Sequence, residues 1–310
     1  MTNNQIDERP LVSVIVITYN SSKFIEAGLN SITNQVYNNI EIIISDDCST
    51  DNTVDICKQW EKQNSIKFER VKIIEAQKNT GVAGNLNRAI KASHGEWIKT
   101  LSGDDQFLPN TIKDYVEYIN NVRCDIVFGR SLIVGDEESI TEYYDKLYNH
   151  YIYPKLKRGI DQKRENLKSL LITSPGLFYS RKLYDKIGGY DERYQFCEED
   201  PFLFKVYSHG YNIEFLDKIV YKYLVRPDSL GSIKHTNRLS RYQKDSIKFF
   251  FDIRRRALCR EKFGILYAFD QTLLYNMLLA ADRGDKYIYA LYRILRLLSP
   301  IYIYSKIKTI

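Results

Sequence analysis

The sequence predicts an α/β fold in which a mixed, mostly parallel sheet is flanked by helices and followed by a helical C-terminal extension. Three observations support this. Short apolar runs rich in β-branched residues, such as residues 11–18 and 40–45, are typical of buried strands. These runs alternate with amphipathic stretches of about 12 residues, as expected for βαβ units. From about residue 237 onward the pattern is helical.

The first half of the chain supplies five strands and four helices. The strands are predicted at residues 11–18, 40–45, 71–75, 96–101 and 125–129. Ser21 or Ser22 can cap the first helix. Asp51 begins the second helix, Gly81 begins the third, and Pro109 suits the first turn of the fourth. Because ligands bind beyond the carboxyl ends of parallel strands, we expect the chemistry in the loops that follow them.

The second half of the chain is less regular. Residues 136–170 are polar and rich in tyrosine, and we expect them to include a flexible loop. Residues 200–209 are predicted to be helical and residues 212–225 to form two short strands. Further helices are predicted at residues 238–262, 266–281 and 286–298. We therefore divide the chain into an N-terminal tail, an α/β domain and a basic helical extension, at residues 1–10, 11–235 and 236–310.

The composition is that of a soluble globular protein. Of the 310 residues, 44% are hydrophobic and 27% are charged, which excludes a mostly disordered, collagen-like or coiled-coil chain. The five cysteines are widely spaced and include no C-x-x-C pair, which favours a reduced, cytoplasmic protein. The N-terminus is too polar for a signal peptide, and every apolar window of membrane-spanning length contains polar or charged residues. We therefore expect no spanning helix.

The net charge of +6 is concentrated in the C-terminal part of the chain. Residues 236–310 contain 15 Lys or Arg and 6 Asp or Glu, and around residues 249–262 these basic side chains are interspersed with aromatic ones. A basic helix with an apolar face can lie at an anionic membrane surface. The alternative is that these helices pack on the rest of the protein with a solvated basic face. We expect peripheral contact with the inner, cytoplasmic face of the membrane.

Two acidic motifs follow the second and the fourth predicted strand. The first is D-D-C-S-T-D at residues 46–51, and the second is S-G-D-D at residues 102–105. Each has a simple structural explanation, because Ser49 or Asp51 can cap a helix and two aspartates can form an ordinary turn. Two acidic pairs at one sheet edge also suit a ligand. Carboxylates accept hydrogen bonds from a base or a ribose, and they bind Mg²⁺ or Mn²⁺ together with phosphates.

A third acidic motif, C-E-E-D-P, occupies residues 197–201 before a predicted helix. Acidic residues at a helix start match the macrodipole, and Pro201 suits the first turn, so a structural role is sufficient to explain them. The functional interpretation is a carboxylate placed to accept a proton from an incoming hydroxyl group.

These motifs, in this order and on this alternation, resemble the family 2 glycosyltransferases of the GT-A fold. The resemblance covers about residues 11–230 and rests on VSVIVITYN, IEIIISDDCSTDNT, NTGVAGNLNRAI, GEWIKTLSGDD and GGYDERYQFCEED. It implies an inverting transfer from a nucleotide-sugar donor, a UDP-sugar or similar, to a saccharide acceptor, with a divalent cation, Mn²⁺ or Mg²⁺. The Q-x-x-R-W motif of processive relatives is absent, so we expect one sugar per encounter. A bacterial surface-polysaccharide pathway with a lipid-linked acceptor fits by analogy.

The resemblance also implies which residues bind the donor nucleotide. Thr18, Tyr19 and Asn20 should line the nucleotide site. Asp47 should hold the base, and Asn87 fits the helix that packs against the nucleotide.

By the same resemblance, the remaining acidic residues serve the sugar, the metal and the acceptor. Asp104 should hold the ribose or the donor sugar, and Asp105 should ligate the metal that bridges the diphosphate. Asp200 matches the catalytic base of the family, and Glu199 beside it is a supporting residue.

Arg226, Lys234 and His235 lie in a polar loop where relatives close over the diphosphate, and they could contact phosphate or metal. An exposed hinge is the alternative for this loop. The chain also departs from the family pattern at two positions. Many members have an acid at the position of Ser102, and Asn85 stands where an arginine is frequent. These departures affect the details of phosphate and metal contact but not the fold.

Two other classes of protein compete with this interpretation. A sugar-phosphate nucleotidylyltransferase needs a Gly-rich, basic phosphate loop after the first strand, where this chain has TYNSSKF. A non-catalytic, membrane-associated scaffold is less compatible with the retained Asp104, Asp105 and Asp200. No motif that reads nucleic acid is recognisable in the sequence, so we expect no nucleic-acid partner.

Overall fold

A computed structural model describes residues 9–135, 137–159, 161–168, 172, 174–226, 239–261, 264–282, 291–292 and 294–295. Of the predicted site residues, Lys234 and His235 lie outside this set. The chain divides into two compact units, which comprise residues 1–162 with 171–226 and residues 163–170 with 227–310.

One sheet of eight strands organises the described part of the first unit. The strands are β1 (Val12–Thr18), β2 (Ile40–Asp46), β3 (Arg70–Glu75), β4 (Trp97–Ser102), β5 (Gln106–Phe107), β6 (Ile126–Val134), β7 (Leu177–Ser180) and β8 (Glu214–Leu224). Their order is β3-β2-β1-β4-β7-β6-β8-β5. The first four neighbours are parallel, β7 runs antiparallel between β4 and β6, and β8 is parallel to β6 and antiparallel to β5. The sheet is therefore mixed and mostly parallel, as predicted.

Helices connect these strands and continue beyond them. They are α1 (Ile25–Thr33), α2 (Thr53–Asn64), α3 (Gly81–Lys91), α4 (Thr111–Val122), α5 (Glu138–Lys146), α6 (Tyr153–Lys157), α7 (Gln162–Lys168), α8 (Arg181–Ile187), α9 (Glu199–Ser208), α10 (Arg241–Phe249), α11 (Arg255–Leu258) and α12 (Gly264–Asp282). A π-helical turn, Leu147–Ile152, joins α5 to α6, and another, Phe250–Arg254, joins α10 to α11.

The core lies on both faces of β1 and β2. Val14 and Ile42 on one face, and Ile15 and Ile43 on the other, have no exposed surface. Strands buried on both faces give continuous apolar runs, which is why the sequence predicted them correctly. Each such side chain stabilises the fold by about 1.5–3 kcal/mol relative to leaving it in water.

The structure adds detail to one prediction about the second half of the sequence and contradicts another. Within residues 136–170, which were expected to include a flexible loop, residues 138–157 are helical. The reason is that Tyr148 and Tyr153 bury their rings, and the Tyr153 hydroxyl accepts a 2.8 Å hydrogen bond from the backbone N–H of Ser131. The predicted pair of short strands at 212–225 is the single strand β8, which pairs with β6 across a shift in register.

The described part of the second unit contains helices in two of the three predicted C-terminal helical segments. Ser240 begins α10 with a capping box formed with Gln243, and α12 covers the predicted 266–281 helix. Arg254, one of the basic residues noted in the sequence, is buried, and its guanidinium lies 5.2 Å from the Phe249 ring centroid. Most of the predicted 286–298 helix lies outside the described residues. Within the part of the chain that is described, no helix is both long and apolar enough to cross a membrane.

Candidate active site

The loops after β1 and β2 are joined by hydrogen bonds at the carboxyl edge of the sheet. Asn20 adopts a left-handed conformation with φ of 49°. Its backbone N–H donates to the Ser49 hydroxyl at 2.8 Å, and its side-chain carbonyl accepts from the backbone N–H of Thr50 at 2.8 Å. The neighbouring Tyr19 side chain is left 48% exposed. An aromatic face is therefore presented to solvent from a loop that is held on both sides.

The serines expected to cap α1 have a different role. The backbone N–H groups of Ser21 and Ser22 donate to the side chains of Thr53 and Asp51 in the second loop, and no side chain caps α1. Asp51 does serve the start of α2, since it accepts from the backbone N–H of Thr53 at 3.1 Å. Although partial burial acts in the opposite direction, hydrogen bonds from Thr53 and Ser22 lower the pKa of Asp51 to about 2.

Asp47 anchors the N-terminus of α3. Its carboxylate accepts from the backbone N–H and hydroxyl of Thr80, from the backbone N–H of Gly81 at 2.8 Å, and from Arg88 at 2.9 Å. A carboxylate at a helix N-terminus satisfies N–H groups that have no partner within the helix. The side chain is only 4% exposed. The expected contact of Asp47 with a nucleotide base remains a prediction.

Arg88 is a site residue that the sequence analysis missed. Besides Asp47, its guanidinium donates to the Ser45 hydroxyl at 3.0 Å and to the Asn85 side-chain carbonyl at 2.8 Å. Asn85 was noted as standing where an arginine is frequent. The available signal was the arginine three positions later, because residues three apart lie on the same face of a helix.

Asn87 lies on another face of α3, and the structure does not bring it to the loops after β1 and β2. Its side-chain carbonyl accepts from the Tyr184 hydroxyl at 2.6 Å and from the backbone N–H of Tyr190 at 3.0 Å. Its NH₂ group donates to the Tyr190 carbonyl at 3.0 Å and to Glu192 at 2.8 Å. Three of these hydrogen bonds hold the segment after α8 against α3, and the fourth holds Tyr184 of α8 itself. The expected contribution of Asn87 to the nucleotide site remains a prediction.

The turn after β4 approaches β1 closely. A Cβ atom on Gly103 would lie 2.8 Å from the Ser21 hydroxyl and 3.0 Å from that of Thr18, so only glycine fits without displacement. The Thr18 hydroxyl is buried and makes no hydrogen bond to any described residue. Next along the turn, the half-buried Asp104 carboxylate forms a 3.0 Å ion pair with Arg226.

Asp105 points into the protein. The residue is 2% exposed, and its carboxylate accepts from the Tyr221 hydroxyl at 2.7 Å and from the backbone N–H of Leu224 at 2.9 Å. Burial, together with the charge of Asp104, raises the pKa of Asp105 well above its usual range. Of the two adjacent acids, Asp104 is the one with accessible oxygen atoms.

Lys99 is fully buried on β4 beneath this turn, and the sequence analysis did not identify it. Its ammonium donates to the Pro175 carbonyl. Three aromatic rings surround it, with centroids at 4.9 to 5.7 Å: Tyr221, Phe107 and Tyr115. Burial lowers the pKa of Lys99 to about 7, although the Asp105 carboxylate acts in the opposite direction. The charge is stabilised by a carbonyl and by ring faces.

The third acidic motif forms the start of α9, as predicted. Glu199 and Asp200 are in its first turn, where acids stabilise the helix, and Pro201 is tolerated there. Asp200 is 2% exposed, and the Cys197 thiol lies 3.8 Å from one of its carboxylate oxygens, within reach of a weak hydrogen bond. Glu199 is half-buried.

The comparisons with known proteins decide the family. Residues 13–188 match the family described as "Glycosyl transferase family 2". The chain belongs to this family. Two Bacillus subtilis relatives illustrate it. TuaG, whose name provisionally assigns it to teichuronic acid biosynthesis, is 33% identical over 136 residues, 44% of this chain and 52% of TuaG. EpsJ, an uncharacterized glycosyltransferase, is 25% identical over 261 residues, 83% of this chain and 74% of EpsJ. The match to TuaG thus spans about half of that protein.

Solved structures of glycosyltransferases share the fold. Residues 1–349 of Staphylococcus aureus TarS in complex with UDP-GlcNAc align with a TM-score of 0.59 and 20% identity, over 87% of this chain and 88% of that one. The mannosyltransferase PcManGT from Pyrobaculum calidifontis, in complex with GDP-Man and Mn²⁺, aligns with a TM-score of 0.58 and 17% identity, over 97% of this chain and 84% of that one. The predicted family and the GT-A fold of this family 2 chain are confirmed.

Proposed function

We propose that the protein is an inverting glycosyltransferase that moves one sugar from a UDP-sugar to a hydroxyl group of a saccharide acceptor. The observation that carries the proposal is the group of side chains at the carboxyl edge of the sheet. It combines the exposed ring of Tyr19 with the ion pair between Asp104 and Arg226. A ring face suits a nucleobase, and a carboxylate beside a guanidinium suits a metal-bound diphosphate. The UDP-GlcNAc complex of TarS supports the donor class.

The residues around the donor nucleotide have separate proposed roles. Thr18, Tyr19 and Asn20 line the nucleotide site, and the buried Thr18 hydroxyl is available as a donor or acceptor. Asp47 maintains the shape of the site by fixing the start of α3, and it contacts the base. Arg226 releases Asp104 and binds the diphosphate, and Lys234 and His235, which follow in the sequence, contact phosphate or metal.

We propose Mg²⁺ or Mn²⁺ as the cofactor and Asp104, in preference to Asp105, as its main protein ligand. These hard cations take oxygen ligands and often bind through one or two carboxylates plus the phosphates of a substrate. The described residues contain no group of three or more His, Cys, Asp or Glu side chains that could enclose a metal by themselves, and a single accessible carboxylate fits that mode of binding. When bound, the cation stabilises the negative charge that develops on the departing diphosphate. The buried Asp105 carboxylate holds the turn in place through its hydrogen bonds with Tyr221 and Leu224.

Asp200 is proposed as the general base. The hydroxyl group of the acceptor is a weak nucleophile at neutral pH, and a positioned carboxylate that accepts its proton contributes about 10²–10⁴-fold. As the new bond forms between the acceptor oxygen and the anomeric carbon, the bond from that carbon to the diphosphate breaks. Attack from the opposite face inverts the anomeric centre. Glu199 lies in the same helical turn, and its negative charge favours the protonated form of Asp200 after the proton has been transferred.

The acceptor is proposed to be a lipid-linked saccharide of a cell-surface polysaccharide pathway. The name of TuaG supports this pathway class. The described part of α12 is exposed and apolar at four positions, between 45% and 72% of the side-chain surface: Ile265, Leu266, Phe269 and Leu273. Together with the basic excess of residues 236–310, this surface suits peripheral contact with the inner face of an anionic membrane.

The membrane contact can be tested by cosedimentation of the full chain with phosphatidylglycerol vesicles. Phe269→Gln should weaken binding, whereas the exposed Ile66→Gln in the first unit should not. Equal cosedimentation of the Phe269 variant and the parent chain would show that this face of α12 does not contribute to membrane binding.

The donor site is tested by thermal unfolding with UDP, GDP, CDP and dTDP, each with and without Mn²⁺. A ligand present at 100 times its Kd stabilises the folded state by about 2.7 kcal/mol. We expect a metal-dependent increase in Tm with UDP. Asp104→Asn should reduce this increase, and the exposed Asp185→Asn should preserve it. No increase with any nucleotide would favour a non-catalytic scaffold on the same fold.

A further inference from the structure

Three tyrosine side chains form a series of ring contacts between α5 and β8. Tyr143 and Tyr144 are on α5, and Tyr223 is near the end of β8. The ring centroids of Tyr143 and Tyr144 are 5.4 Å apart, and those of Tyr144 and Tyr223 are 6.3 Å apart, both with edge-to-face geometry. We refer to these three residues as the tyrosine wall. Edge-to-face contacts hold such rings in fixed relative orientations.

The tyrosine wall is bordered by acidic residues from two different elements. The backbone N–H of Leu224, the residue after Tyr223, donates to Asp105 at 2.9 Å. Burial is the largest cause that raises the pKa of both Tyr144 and Tyr223, and the charge of Glu199, in the first turn of α9, contributes in the same direction. The wall is therefore connected through Leu224 to the acidic turn after β4, and two of its rings are influenced by the charge of Glu199.

The exposure of the wall differs from that of ordinary core tyrosines. Tyr143 is 56% exposed, and Tyr144 and Tyr223 are half-buried. By contrast, Tyr148, on the π-helical turn that follows α5, is 2% exposed. The core does not require an aromatic ring at position 143. A pyranose ring has an apolar C–H face and a polar rim, and an accessible tyrosine matches both.

We infer that the tyrosine wall is a saccharide subsite, in which a pyranose unit of the acceptor stacks on the ring of Tyr143 with its hydroxyl groups directed towards the acids of α9. The inference rests on the proposed function for the reaction that follows binding. Binding of the sugar itself can be measured without turnover. The sequence predicts a flexible loop within residues 136–170, so its tyrosines were not expected to form one surface.

The test is a saturation-transfer NMR titration of the full chain with the methyl β-glycosides of glucose, galactose and N-acetylglucosamine, in the presence of UDP and Mg²⁺. Tyr143→Ala should weaken binding of the preferred glycoside about tenfold, which corresponds to about 1.4 kcal/mol. Tyr143→Phe keeps the ring and should bind like the parent chain. Tyr151→Ala is the matched control, since the Tyr151 ring is already covered by the Lys155 ammonium at 3.8 Å.

Two results would overturn the inference. One is equal affinity of the parent chain and Tyr143→Ala, and the other is the absence of glycoside binding by the parent chain. The proposed function is judged separately by the Tm increase with UDP, which does not depend on Tyr143. If the parent chain bound UDP but no glycoside, the proposed donor site would stand and the proposal that the tyrosine wall binds a saccharide would fail.

Discussion

The hydroxyl of Tyr221 donates a 2.7 Å hydrogen bond to the buried carboxylate of Asp105. Tyr221 is in β8 and Asp105 ends the turn after β4, two strands that are not neighbours in the sheet. The bond therefore ties the turn that carries Asp104 to the strand that leads to Arg226. Together with the pairing of β5 and β8, this buried connection positions both partners of the Asp104–Arg226 ion pair.

Removal of this hydroxyl should destabilise the protein. Tyr221→Phe leaves a buried carboxylate oxygen without its donor, which costs about 1–3 kcal/mol or more because the acceptor is an acid. We expect a lower free energy of unfolding in urea. Tyr207→Phe is the control, because the Tyr207 hydroxyl is buried and has no hydrogen-bond partner among the described residues. An equal decrease in the free energy of unfolding in both variants would show that the hydrogen bond to Asp105 makes no specific contribution to stability.

The conformation of Gly81 gives a second prediction about stability. Gly81 has φ of 79°, and a Cβ atom there would lie 2.5 Å from the Cβ of Gln195 and 2.9 Å from its carbonyl oxygen. Gly210 has nearly the same φ, 80°, with nothing within 4 Å of such an atom. Gly210→Ala should cost about 1–2 kcal/mol from backbone strain alone. Gly81→Ala should cost clearly more, and equal losses in urea unfolding would contradict the steric argument.

Part of the site could be predicted because it follows directly from apolar runs. β1, β2 and β4 are short buried segments that contain several large apolar residues, so the acids and the tyrosine at their ends were located correctly. What the sequence could not provide was the direction of each side chain. Asn87 and Arg88 are adjacent on α3, yet only Arg88 reaches Asp47. Successive helical residues point about 100° apart, and a motif match does not specify that phase.

Other features of the fold and the site were not predicted from the sequence for different physical reasons. Lys99 occurs in a strand whose other residues are mostly apolar, and its pairing with the Pro175 carbonyl depends on a contact between residues 76 apart in sequence. β7 has only four residues, too short for a periodic pattern to identify. The tyrosines of residues 138–157 count as polar in a pattern analysis, although Tyr148 and Tyr153 bury their rings.

The buried charge of Lys99 predicts a specific pH dependence of stability. Burial lowers its pKa from the ordinary 10.5 to about 7, so between these values the unfolded chain binds more protons than the folded one. Stability conferred by this position therefore rises with pH through that window. Relative to Lys99→Met, which cannot titrate, the parent chain should gain about 1.4 kcal/mol per pH unit between about pH 7.5 and 9.5.

The measurement for Lys99 is urea unfolding of both chains at several pH values in this window. Lys91→Met provides the comparison, because Lys91 is exposed on α3 and its replacement should give a nearly constant difference from the parent chain. A pH-independent difference for Lys99→Met would show that this ammonium keeps an ordinary affinity for its proton in the folded state.

The proposed base gives the prediction for activity. Asp200→Asn keeps the size of the side chain but removes the carboxylate that accepts the acceptor's proton, so turnover should fall about 10²–10⁴-fold. The Tm increase with UDP and Mn²⁺ should be unchanged, since Asp200 belongs to α9 and not to the loops that hold the nucleotide. The exposed Glu26→Gln on α1 serves as the control for a lost carboxylate. If folded Asp200→Asn retained near-parental turnover, another group would have to accept the proton.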